Sequence, residues 1–253
     1  MADYKKLAKE ARIEILRLVH KGQTSHIASN FSVVDIATVL YENLQKEDRV
    51  VWSKGWAAAA IYYFLHKQGK ITTRLYNLFP NKPMYGLAET TVNGVEVNGG
   101  SVGHGLSVAV GMALGKKRAG ESGTVYCIMS DGELNEGSVW EAAMVAHHHK
   151  LDNLIAIIDK NGWQAMGRTE DVINLDAVNA FNGFGWFTRD IDGHDHAEIE
   201  RVIIQDKYDA PKVIVARTIK GKGVSFMEDH LVFHYKNVDD ELYQKALTEL
   251  NAQ

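Results

Sequence analysis

Two short runs rich in strand-forming residues, TVYCIMS at 124–130 and NLIAIID at 153–159, are joined by one stretch of helical pattern, EGSVWEAAMVAHHHK at 136–150. A strand, a helix and a second strand with so short a crossover form a parallel βαβ unit, right-handed by default. The runs are apolar on both faces, as in a sheet covered by helices on each side. A third run, KVIVART at 212–218, has the same character. The pattern predicts an α/β fold, a doubly wound parallel sheet flanked by helices. Ligands in such sheets bind beyond the carboxyl ends of the strands.

The rest of the chain reads as helices and loops. Residues 4–20 repeat apolar positions at helical spacing (Leu7, Ala11, Ile15, Leu18), with Gly22 as the stop. Further helices are predicted over 33–44 and 56–66, and a loop over 80–104. That loop ends in NGGSVGHG and enters LSVAVGMALGKK, whose small residues predict close packing against a neighbour. DDELYQKALTELNAQ reads as a finishing helix. No repeat, low-complexity linker or clear boundary interrupts the 253 residues, enough for one large domain spanning 1–253. With 28 Lys and Arg against 32 Asp and Glu, the charge balance argues against a nucleic-acid or anionic-membrane surface. No apolar run is long enough to span a bilayer. The single cysteine, Cys127, and the absence of an apolar signal core in MADYKKLAKEAR fit a cytoplasmic protein.

The chemistry concentrates in SDGELNEGSVWEAAMVAHHHKLDNLIAIIDKNGW. Asp131 and Gly132 follow the first strand, and Asn161 follows the next. One βαβ unit brings both strand ends to the same edge of the sheet. A carboxylate and an amide oxygen then converge, and oxygen donors of this kind suit a hard cation such as Mg²⁺. Gly132 permits a diphosphate to approach the main chain, and the helix behind it offers free N–H groups to an anion. Three neighbouring features invite blander readings. His147, His148 and His149 are consecutive on a helix and diverge too far to share a metal. Cys127 within a strand reads as a small core residue, and Trp140 as packing.

The same segment resembles the diphosphate-binding motif of thiamine-diphosphate enzymes, a GDG with an Asn further along, with Ser130 here replacing the first glycine. The blocks RIEILRLVHKGQTSH, SKGWAAAAIYYFL, NGVEVNGGSVGHGLSVAVGMALGKK, KLDNLIAIIDKNG and ARTIKGKGVSFMEDHLVFHYK occur in the order found in the transketolase family, over residues 12–236. The chain is similar to the N-terminal, diphosphate-binding domain of that family. The resemblance implies thiamine diphosphate and Mg²⁺ (with Ca²⁺ or Mn²⁺ able to substitute) as cofactors. It implies Asp131, Asn161 and the carbonyl of Trp163 as metal ligands. Gly132 would contact the diphosphate, Asp159 and Glu136 match acidic positions near the cofactor, and Gly100, Ser101 and Val102 match the loop at the aminopyrimidine. His26 and His234 match catalytic histidines, and His234 is placed near the diphosphate as well. Lys236 matches a basic residue that follows His234 in some members.

The family's pyrimidine-binding domain, which carries a Glu that assists ionisation of the cofactor, has no counterpart in these blocks. The expectation is a complementary C-terminal subunit in an α2β2 assembly, acting on ketose and aldose substrates. Several family histidines are also replaced. Trp56 stands in place of the His of SKGH, either filling its space or stacking on a substrate, and is counted among the cofactor-site residues. Leu87 or a neighbour stands where another His is expected, and His104 replaces a Gln. Indole and alkyl groups cannot exchange protons near neutral pH as imidazole does, so an altered donor is expected. The expected activity is transfer of a two-carbon ketol unit between sugar or sugar-like phosphates. The alternatives are a carboligase using a 2-oxoacid donor and a non-catalytic binding protein.

Overall fold

The computed structural model describes residues 2–206 and 208–253. In chain order the first elements are helices α1 (Tyr4–Gly22), α2 (Ile27–Ser32) and α3 (Val34–Asn43), strand β1 (Arg49–Trp52), then α4 (Ala58–Lys67), α5 (Thr73–Tyr76) and α6 (Gly105–Ala119). There follow β2 (Val125–Ser130), α7 (Gly137–His148), β3 (Leu154–Lys160), α8 (Thr169–Val172), α9 (Ala177–Gly183), β4 (Phe187–Asp192), α10 (His196–Glu200), β5 (Lys212–Arg217) and α11 (Asp240–Asn251). They form two compact units that interleave along the chain. One comprises Met1–Glu42, Gly55–Gly100 and Thr218–Gln253; the other comprises Asn43–Lys54 and Ser101–Arg217.

The second unit contains the whole sheet. Its five strands are all parallel, in the order β1-β2-β3-β5-β4. The predicted βαβ unit is β2-α7-β3, paired from Val125 with Leu154 to Ser130 with Asp159. The interior strands β2, β3 and β5 are buried along nearly their full length, including Cys127. The edge strands β1 and β4 escaped the sequence reading. RVVW is only four residues long, and FTRDID is polar and half-exposed, so neither shows an uninterrupted apolar run. Helix α6 packs on β1, β2 and β3, and α9 on β4 and β5. The face of α6 that meets the sheet carries Leu106, Ala109, Val110 and Ala113. Its glycines Gly111 and Gly115 face open space, with nothing within 4 Å of where a side chain would begin. Trp140 packs as expected: its indole N–H donates to the Leu134 carbonyl at 2.9 Å, and its ring meets Phe181 and Phe184. Among the three consecutive histidines, His147 turns its ring to the Gly185 carbonyl at 3.1 Å.

In the first unit, α1 buries Ala8, Ala11, Ile15, Leu18 and Val19, while Leu7 is only half-buried. The expected stop at Gly22 requires correction. Gly22 is still helical, and Gln23 takes the left-handed conformation (φ 47°, ψ 40°) at the cap. Gly22 is small for packing: a Cβ there would lie 3.0 Å from the Phe79 ring. Arg12 is buried and binds both oxygens of Asp35, at 3.2 and 2.6 Å, and the Lys222 carbonyl at 2.9 Å. Helix α2 was not foreseen; it is a separate turn and a half before α3. The loop over 80–104 holds no helix or strand. At the C-terminal end, Asp239 caps α11 by accepting from Leu242 N at 2.9 Å.

Candidate functional site

In the sheet unit, Asp131 and Asn161 lie just past the carboxyl ends of the adjacent strands β2 and β3, and both are buried. The Asp131 carboxylate is held from three sides. One oxygen accepts from Gly132 N at 3.0 Å; the other accepts from Gly162 N at 2.7 Å and Thr169 Oγ1 at 3.2 Å. Asn161 Oδ1 accepts from Trp163 N at 3.1 Å, which orients the amide and fixes the turn carrying Trp163. The Arg168 guanidinium lies 4.1 Å from the Trp163 ring centre. Gly162 supports that turn with φ 76°, a conformation open to glycine.

The charge pattern around Asp131 favours a cation. Burial, then the neighbouring Asp159 charge, push its carboxyl up to about 6 against the pull of Gly162 N–H, Lys54 and Thr169. Asp159 is fully buried and ion-paired with buried Lys54, whose main-chain N–H donates to the Ile128 carbonyl at 3.2 Å. Among the described residues no group of three or more His, Cys, Asp and Glu side chains converges as a metal set. A cation here would take its protein donors from one carboxylate, one amide and main-chain carbonyls, an oxygen set of the kind hard divalent ions prefer. Gly132 forms a shallow cradle, since a Cβ there would come within 3.0 Å of Gln164 Cγ. The buried Gln164 Nε2 beside it has no acceptor, a donor that a phosphoryl oxygen could satisfy.

One acidic residue at this edge was missed by the sequence reading. Glu133, in the turn after Gly132, is fully buried. Its Oε2 accepts from Ser53 Oγ at 2.9 Å, and Ser53 Oγ accepts in turn from Gly105 N at 3.1 Å, the first residue of α6. Glu133 Oε1 has no hydrogen-bond partner, and burial pushes the carboxyl up to about 8. Glu136, by contrast, is exposed at the start of α7, close against Gly103. Ser101 and Val102 are exposed, with Ser101 Oγ 3.4 Å from His104 Nε2.

In the first unit, His26, Trp56 and His234 come together as a ring stack. His26 and Trp56 lie 4.6 Å apart and nearly parallel at 16°, and His234 meets the His26 ring edge-on at 4.5 Å. Trp56 therefore covers a histidine and keeps 38% of its surface exposed. His26 sits at φ 70°, an unusual conformation outside glycine, as the cap of α2. That geometry is held by its own N–H to the His234 carbonyl at 3.1 Å and by Asn30, whose main-chain and side-chain N–H groups bind the His26 carbonyl at 3.0 and 2.8 Å. Ser25 Oγ lies 2.6 Å from His26 Nδ1. Lys220, fully buried, places its ammonium 2.8 Å from His234 Nδ1. The sequence reading passed over Lys220, although it lies in the same block as His234. Gly100 takes φ 109° with Leu87 as its nearest side chain, and Lys236 is exposed.

Comparison with known proteins bears on these clusters. The family described as "Transketolase, thiamine diphosphate binding domain" matches residues 4–247. One of the two subunits of an apulose-4-phosphate transketolase from Phocaeicola vulgatus is 35% identical, covering 95% of this chain and 91% of its own. A 6-deoxy-6-sulfo-D-fructose transketolase subunit from a Clostridium species is also 35% identical, covering 94% and 92%. The crystal structure of a Campylobacter jejuni transketolase superposes with a TM-score of 0.93 at 28% identity over 99% of this chain, which spans 43% of that longer one.

Proposed function

The chain belongs to the transketolase family as its thiamine-diphosphate-binding part, and from that premise we propose that it is one half of a two-chain, transketolase-type transferase. The observation that carries the reading is the pair of buried oxygen donors, Asp131 and Asn161, at the ends of two adjacent parallel strands. In this reading Asp131, Asn161 and the Trp163 carbonyl hold Mg²⁺. Gly132 lets the diphosphate approach, with the Gln164 amide as a donor beside it. Asp159 with Lys54, exposed Glu136, Gly100, Ser101, Val102 and Trp56 complete the cofactor's surroundings. All of residues 1–253 belong to this one domain. Bound thiamine diphosphate supplies the electron sink for the two-carbon unit.

His26 and His234 bind and protonate the sugar oxygens of the donor. Trp56, stacked on His26, presents an indole where the family carries an imidazole, and Leu87 removes another. The donor is therefore a ketose whose handling needs fewer proton-exchanging groups. The two relatives above are named for apulose 4-phosphate and 6-deoxy-6-sulfo-D-fructose, ketoses that carry an anionic group, and we extend that substrate class to this chain. The partner is a complementary subunit with the pyrimidine-binding domain, in an assembly of two copies of each chain. Among the described residues no helix is long and apolar enough to cross a membrane. We place the enzyme in the cytoplasm.

Calorimetric titration of thiamine diphosphate with Mg²⁺, into this chain by itself and into its mixture with the complementary subunit, tests the reading. Tight binding only in the mixture is expected. Absence of binding in both samples removes the catalytic reading.

A further inference from the structure

We infer that Lys220 locks His234 as a neutral, donor-only imidazole and leaves proton acceptance to His26. The inference about roles rests on the transferase reading; the protonation state itself does not.

The geometry is local to one unit. Lys220 is fully buried, and its Nζ lies 2.8 Å from Nδ1 of His234. An ammonium has three protons and no acceptor, so the ring nitrogen that meets it must be the bare one. The ring's proton is then on Nε2. In that state the Nδ1 lone pair is committed to Lys220 and Nε2 already holds a hydrogen. His234 can donate a hydrogen bond from Nε2 to a substrate or phosphoryl oxygen. It has no site at which to take up a proton, because a second ring proton on Nδ1 would face the ammonium.

His26 has a different kind of neighbour. Ser25 Oγ, 2.6 Å from its Nδ1, can either donate or accept. If the hydroxyl accepts, Nδ1 is protonated and Nε2 is the basic nitrogen. If it donates, Nε2 carries the proton. The serine therefore supports both states of a ring that exchanges protons, whereas the lysine supports one. The titratable groups that meet the His234 ring are Lys220, the His26 ring from the start of α2, and the adjacent Tyr235. The two histidines look equivalent in sequence, yet the structure gives them a fixed donor's role and a proton carrier's role. Lys220 is on this argument a positioning residue.

The test is long-range ¹H–¹⁵N correlation spectroscopy of the full chain labelled at histidine, with the His234 signals assigned by their loss in His234→Gln. In the unmodified protein the expected result is an Nε2–H tautomer with no imidazolium between about pH 6 and 8. A protonated Nδ1, as when a neutral lysine accepts from the ring, or a titrating His234 in that range overturns the inference. In Lys220→Met the ring should begin to titrate or populate both tautomers, and in Lys220→Arg, which keeps a donor-only cation, it should not. A Lys220→Met spectrum unchanged from the parent also overturns it. Should that variant fail to fold, the parent spectrum alone decides. Because no partner, cofactor or turnover enters the measurement, its failure is distinguishable from failure of the transferase reading.

Discussion

Glu133→Gln should remove a large pH dependence from the stability of this chain. The carboxyl is fully buried, accepts one hydrogen bond from Ser53, and is pushed from an ordinary 4.5 up to about 8 by burial. A carboxyl whose pKa is raised on folding keeps a proton in the folded state that the unfolded chain releases. The stabilisation is fully present below pH 4.5 and is lost as pH rises through about 8. At about 1.36 kcal/mol per pH unit, that window corresponds to about 5 kcal/mol, and the span from about pH 5.5 to 7.5 to about 3 kcal/mol. Glutamine matches the shape of the protonated acid and does not titrate. Its amide meets the same place where Oε1 lacks a partner, so a constant offset between the proteins is expected. The pH slope is the test. Urea unfolding of both proteins in a chelator, followed by tryptophan fluorescence at half-unit steps, gives the difference in stability directly. Titration of Asp131 is common to both and cancels. Difference curves that stay flat across that span would refute the assignment of Glu133 as a protonated buried acid.

Other outcomes follow from the same geometry. Asp131→Asn should weaken calorimetric binding of Mg²⁺ with thiamine diphosphate by more than about a hundredfold in the assembled enzyme while leaving the circular dichroism spectrum unchanged. Lys54→Met deprives fully buried Asp159 of its cation and should cost about 3–5 kcal/mol in urea unfolding; a loss under about 1 kcal/mol would show that the pair contributes little. Gly111→Ala, on the open face of α6, should raise stability by about 0.5–1 kcal/mol, read from the same urea midpoints. Trp56→His restores a proton-exchanging ring beside His26 and should raise kcat/KM with ordinary ketose phosphates by about a hundredfold; an unchanged ratio between donors would dismiss Trp56 as a specificity determinant.

The parts legible in the sequence are those where one local rule suffices. Val125–Ser130, Leu154–Lys160 and Lys212–Arg217 are interior strands, so burial on both faces wrote them as unbroken apolar runs. Asp131 and Asn161 were legible because each follows such a run directly. The edge strands were not, because RVVW and FTRDID are partly solvated and carry no distinctive period. The supporting groups of the site were hidden for another reason. Ser53 and Glu133 are 80 positions apart, and Lys54 and Asp159 are 105 apart, so only the folded sheet edge pairs them. Lys220 shares a sequence block with His234, but a lysine there reads as surface charge until its burial is known. Gln23, not Gly22, closes α1 because packing against Phe79 had already claimed the glycine.

The interleaving of the two units sets an order of events during synthesis. The sheet unit lies wholly between Asn43 and Arg217, whereas the other needs both ends of the chain. Arg12 donates to the carbonyl of Lys222, 210 positions later. At about 5–20 residues per second, roughly 10–40 seconds separate the emergence of those two residues from the ribosome. Throughout that interval the apolar face of α1 is complete but its final partner α11 does not yet exist. The nascent chain thus presents a folded sheet and an unsheltered amphipathic helix at once, a state in which chaperone occupancy should concentrate on the stretch that holds α1.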